Sequence, residues 1–113
     1  MSAVKIKFAH SAMRGTMYIR GAGNDIVPFV RAALKEGKHY SEESAMFYVP
    51  GISQDAADEV FDLTNNPGRQ DERELIYGRG RSLSVGDIVE VYNPDFSVEQ
   101  WLCCSVGWKE ITE

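Results

Sequence analysis

Apolar and polar positions alternate at the start of the chain. Val4-Lys5-Ile6-Lys7-Phe8 repeats with period two, which predicts a half-buried strand with both lysines on its solvent side. Thr16 to Arg20 is a second strand candidate, with a loop over 10–15 between the two. Gly21-Ala22-Gly23 then breaks the chain, and Asn24 or Asp25 can cap a helix. Ile26, Phe29, Val30, Ala33 and Leu34 follow helical spacing to about Glu36, where Gly37 offers a left-handed stop. Ala45 to Val49 reads as a short strand closed by Pro50-Gly51. A second helix starts at Ser53 or Asp55, with Ala56, Ala57, Val60, Phe61 and Thr64 on one face. Asn65-Asn66-Pro67-Gly68 ends it, because a residue before proline resists the α region.

Arg69 to Arg81 is the most polar stretch and should finish as a loop, since Gly78 and Gly80 alternate with Arg79 and Arg81. Asp87 to Tyr92 and Gln100 to Ser105 read as two strands joined at Asn93-Pro94-Asp95-Phe96, a C-terminal β-hairpin. Residues 106–111 form a tail that packs Trp108 back. The order of elements predicts one α+β domain over 1–113: a small antiparallel sheet with two helices packed on it.

The chain has 113 residues and a formal net charge of −5. No apolar run approaches the roughly 18 residues of a membrane span, and the N-terminus lacks a signal-peptide core. The expectation is a cytoplasmic protein with no membrane partner. The total charge conceals blocks: +5 over residues 1–38, −6 over 39–66, +1 over 67–81 and −5 over 82–113. Either the folded elements interleave these blocks, or they form separate basic and acidic faces. The two cysteines, Cys103 and Cys104, are adjacent, so in a strand they point to opposite faces and do not pair. With no second cysteine pair there is no zinc site, and no metal or cofactor is expected.

Few residues announce chemistry. Gly21-Ala22-Gly23 lacks the third glycine of a dinucleotide fingerprint, since Ile26 occupies that position. His10 and His39 sit in polar loop contexts, and no nucleophile motif surrounds Cys103 or any serine. A catalytic pair of His39 and Cys103 is the weakest reading, and no catalytic residue is assigned. Arg69, Arg73, Arg79 and Arg81 are the strongest binding candidates, with Tyr77 beside them and Trp108 as an aromatic anchor. Asp71, Glu72 and Glu74 are interleaved, so internal ion pairing is the competing use of those arginines.

The stretch from Asp58 to Ile111 contains Glu59-Val60-Phe61-Asp62-Leu63-Thr64-Asn65-Asn66-Pro67, then Gly78-Arg79-Gly80-Arg81-Ser82-Leu83-Ser84-Val85-Gly86-Asp87-Ile88-Val89. Trp101-Leu102-Cys103 and Ser105-Val106-Gly107-Trp108-Lys109-Glu110-Ile111 follow. This pattern resembles small proteins of bacteriophages and other mobile elements, and its C-terminal part is similar to the YodL-like domain. The resemblance covers nearly half of the chain and leaves out the first 57 residues. It implies a mobile-element origin and a host bacterial cytoplasm, and it carries over no catalytic residue. The leading expectation is therefore a non-enzymatic accessory protein that binds a host or viral protein through Arg79, Arg81 and Tyr77, with the acidic helix near Asp58. The alternative is nucleic-acid binding through the basic N-terminal third and the Arg-rich loop 69–81, with steep salt dependence.

Overall fold

The structure, a computed structural model, describes residues 1–10, 26–105 and 107–112. The expected strand at Thr16–Arg20 and the Gly21–Asp25 turn lie outside the described residues. The described strands form one antiparallel sheet. β1 (Ser2–Phe8) is flanked on one side by β2 (Glu42–Glu43) and β3 (Phe47–Val49). On its other side come β4 (Ile88–Tyr92), β5 (Val98–Cys103) and β6 (Trp108–Glu110), in that order. Three helices accompany it: α1 (Ile26–Glu36), α2 (Ser53–Asn65) and the short α3 (Gln70–Ile76). The class is α+β, with the β4–β5 hairpin near the C-terminus as the sequence predicts.

β2 and β3 are one edge strand interrupted by a bulge. Val4 pairs with Phe47, but Lys7 pairs with Glu43, so the register slips by one residue between them. The extra residue is accommodated at Ser44, whose Oγ accepts the Ile6 amide at 2.9 Å while its own amide donates to the Ile6 carbonyl at 2.8 Å. A bulge of this kind also blunts an exposed edge.

Paired residues share a face, and the two faces differ. Val4, Ile6, Val89 and Val91 project under α2, which buries Ala56, Ala57, Val60 and Leu63 against them. Leu63 replaces the expected Phe61, which is 43% exposed. The buried stripe runs along 56, 60 and 63, and Phe61 sits about 100° further round from Val60. On the opposite face, Ile88 and Leu102 meet Ile26, Val30 and Ala33 of α1, together with Tyr40, Cys104 and Ile111. α1 ends as expected: Gly37 has φ +70°, Lys38 N–H donates to Ala33 O, and Gly37 N–H donates to Leu34 O. The middle of that face is polar. Lys5 and Lys7 reach Glu43 at 3.0 and 3.3 Å, and Glu90 accepts from Tyr92 and Gln100.

α3 is the element that hydrophobic patterning left unassigned. None of its residues is buried, so it has no apolar stripe to find. α2 ends where the proline rule puts it, with Asn66 extended and its side chain accepting the Gly68 amide at 2.9 Å. The basic and acidic sequence blocks interleave: Lys5 and Lys7 of the first meet Glu43 of the second in space.

Candidate functional site

The arginine segment wraps the C-terminal end of α2. Arg69 bonds three carboxylates, Glu59 at 2.6 Å, Asp62 at 2.8 Å and Glu72 at 2.9 Å. Glu72 foremost, then Glu59 and Asp62, raise the guanidinium pKa further, and Arg69 in turn holds Glu72 below the usual glutamate range. Arg73 reaches inward instead. Its guanidinium donates to Thr64 O at 2.6 Å, to Ser82 Oγ at 2.9 Å and to Gly80 O. It thereby satisfies a carbonyl at the end of α2 and ties down the following loop. Tyr77 packs on Phe47 with ring centroids 5.1 Å apart, and its hydroxyl donates to Arg81 O at 2.7 Å. Burial pushes its phenol pKa up. Gly80 is needed beside it, since a Cβ there would lie 2.5 Å from the Tyr77 hydroxyl oxygen.

Arg81 forms a two-pronged pair with Asp87, at 2.8 Å to each carboxylate oxygen. Asp87 is fully buried. It also accepts the Ala9 amide at 2.7 Å and the Ser84 amide at 2.9 Å, so both oxygens are saturated. The Arg81 guanidinium lies 4.5 Å from the Phe8 ring centroid. This network joins the end of β1 to the turn entering β4, where Gly86 takes a positive φ of +96°. Trp108 donates its indole N–H to Asp58 Oδ1 at 2.6 Å and packs against the α2 core. The two residues edge an open cleft of about 230 Å³, together with Phe61 and Gly107.

Of the six residues singled out in sequence, Arg69, Arg73, Arg81, Tyr77 and Trp108 all have internal partners. The structure gathers Arg73, Tyr77 and Arg81 into one strut. Arg79 is exposed and has no ion pair among the described residues. Internal ion pairing, the competing reading of the cluster, holds for Arg69 and Arg81, while Arg73 is engaged by neutral carbonyl and hydroxyl acceptors instead.

The other end of the sheet was not singled out. Asn93 Oδ1 accepts the Ser53 amide at 2.9 Å and so caps α2 from 40 residues away. Ile52, the residue before α2, has no side-chain oxygen to do this. Asn93 also opens the β4–β5 turn: Phe96 N–H donates to Asn93 O and Asn93 N–H to Ser97 O, both at 2.9 Å. This is a three-residue hairpin loop with Pro94 first and a left-handed residue last, a position that favours glycine or asparagine. Phe96 occupies it, with φ +72° and 94% exposure. Four more large apolar side chains are exposed at this end: Met1, Tyr48, Ile52 and Val98. Tyr48 and Val98 lie in one cross-strand row with Ala3 and Tyr92.

Beside the turn is an open cleft of about 230 Å³, lined by Ile52, Pro94, Asp95, Ser97 and Glu99 among others. Glu99 accepts Ser53 Oγ at 3.0 Å and the Trp101 indole N–H at 2.9 Å. Asp95 Oδ1 accepts the amide and hydroxyl of Ser97, which holds this carboxyl below the usual aspartate range. Neither carboxylate has an ion pair among the described residues. The sequence signal for this region was a turn containing an aromatic where glycine serves best.

The thiols and histidines do not converge. Cys103 is buried, and burial foremost, with the Asp87 and Cys104 charges adding, pushes its pKa up to about 12. His10 Nε2 is 2.7 Å from Ser41 Oγ, and His39 lies in a shallow groove with Phe29 and Lys38. Among the described residues, no group of three or more His, Cys, Asp or Glu side chains is placed to hold a metal ion, and no helix is long and apolar enough to cross a membrane. Compared with known proteins, the chain matches no family model, no curated protein and no solved structure.

Proposed function

We propose that this chain is a non-enzymatic accessory protein of a phage or mobile element that binds a host or viral protein. The observation that carries the reading is that five large apolar side chains, Met1, Tyr48, Ile52, Phe96 and Val98, are exposed around one end of the sheet. Tyr48 and Val98 share a row with Ala3 and Tyr92, and exposed apolar ground of this kind is the usual mark of a protein contact. The YodL-like pattern of residues 58–111 supports the mobile-element origin. Nucleic-acid binding would draw in large part on cations that are already engaged, Lys5 and Lys7 by Glu43, Arg69 by three acids and Arg81 by Asp87, while Arg79 stays exposed.

Affinity capture from a bacterial lysate tests the reading. A specific protein should be retained after nuclease treatment and at raised salt, because apolar contact is not screened. Recovery of nucleic acid alone, with binding that collapses as salt rises, would favour the alternative. Recovery of nothing specific would contradict both.

A further inference from the structure

We infer that Phe96 is the anchor of the binding surface and that its occupant is a protein segment carrying Arg or Lys beside apolar side chains. The inference rests on the protein-binding reading and assigns it a site. The Phe96 ring contributes almost nothing to the fold, being 94% exposed on a backbone with φ +72°. A displayed aromatic with no internal contacts suits a partner pocket, and such rings dominate protein interfaces. Ile52 and Pro94 line a cleft at the same turn.

Charge complementarity selects the occupant. Asp95 and Glu99 line the adjoining cleft, bonded only to neutral donors and facing no cation among the described residues. Asp95 takes both of its Ser97 bonds on Oδ1, and the residue is exposed to a donor from outside. An Arg or Lys of the partner would complete this pair, its methylenes lying over Ile52 while an apolar neighbour meets Phe96. A second copy of the chain fits poorly. In a two-fold contact the same patch faces itself, which would bring Asp95 and Glu99 against their own equivalents.

A displayed library of random peptides, selected on the purified full chain, supplies the probe. Selected peptides should carry Arg or Lys next to aliphatic or aromatic residues. Their affinity should fall on the order of thirtyfold for Phe96→Gly, the loss typical of a truncated interface anchor. Asp95→Asn keeps the oxygen that accepts from Ser97 and removes the charge; it should weaken binding roughly fivefold, and less at high salt. Phe96→Gly should unfold at or above the wild-type temperature, and Asp95→Asn slightly below it, because the bonds from Ser97 are stronger to a charged carboxylate.

Selection of acidic peptides, no selection, or affinities unmoved by Phe96→Gly would overturn the inference. So would a wild-type dimer in sedimentation that Phe96→Gly dissolves, or retention on anionic vesicles that depends on Phe96. A partner captured from lysate whose binding survives both substitutions removes this site and leaves the proposed function standing. A wild-type chain that captures nothing removes the function itself.

Discussion

Arg69, Arg73 and Arg81 end on internal carboxylates, carbonyls and a hydroxyl, whereas Phe96, at the opposite end of the sheet, is 94% exposed. The first region has the composition of a binding site and the bonding of a scaffold. The second has the composition of an ordinary turn and leaves a large aromatic without a partner. Residue type alone does not show which groups are free for a ligand, because an arginine's value to one depends on what else it already touches. The donors of Arg73 are used by the end of α2 and the loop after α3. Phe96 has no such internal obligation.

If the comparison is right, substitutions in the two regions should separate stability from binding. The largest loss is expected at Asp87→Ala. It strips Arg81 of its counter-ion and removes the carboxylate that accepts the Ala9 and Ser84 amides, at roughly 3 kcal/mol or more. Urea denaturation should show the midpoint falling with an unchanged slope. Arg73→Ala should follow at about 2 kcal/mol, through three lost hydrogen bonds, read by the same titration. Asn93→Ala removes the cap of α2 and should cost about 1 kcal/mol, with Asn93→Asp recovering most of it.

The Arg69 cluster is the surface counterpart of the Asp87 network, and its contribution should be small and pH-sensitive. Arg69 holds Glu72 below the usual glutamate range, and Lys5 and Lys7 do the same for Glu43. A carboxyl with a folded pKa below its unfolded one stabilises the fold above the unfolded value, about 4.3 for glutamate. That contribution fades as pH falls through the folded value. Arg69→Ala should therefore lose less stability between pH 6 and pH 3 than the wild type, and added salt should narrow the gap. The smallest effect on stability belongs to Phe96→Gly, which relieves a left-handed phenylalanine and removes no buried surface.

Much of the fold was legible because most elements bury a periodic face. Val4 and Ile6 alternate with lysines in β1, and Ile26, Val30 and Ala33 recur at helical spacing in α1. Turn chemistry located Gly37 and the Asn66-Pro67 boundary. α3 was hidden because it buries nothing, and the Ser44 bulge because it exists only relative to the register of β1. The candidate site was less legible for a related reason. Pairings such as Asn93 with Ser53 or Asp87 with Ala9 span 40 and 78 residues, and no local pattern encodes them. The exposure of Phe96 is likewise a property of the folded surface.

Thermal unfolding of Phe96→Gly beside Arg81→Met, under one buffer, tests the central contrast most directly. The Arg81 change should lower the melting temperature by several degrees, since it leaves the buried Asp87 carboxylate without its cation. The Phe96 change should leave it unchanged or raise it slightly. A melting temperature that drops for Phe96→Gly and holds for Arg81→Met would contradict the account, because the turn would then be the scaffold and the arginine the free group.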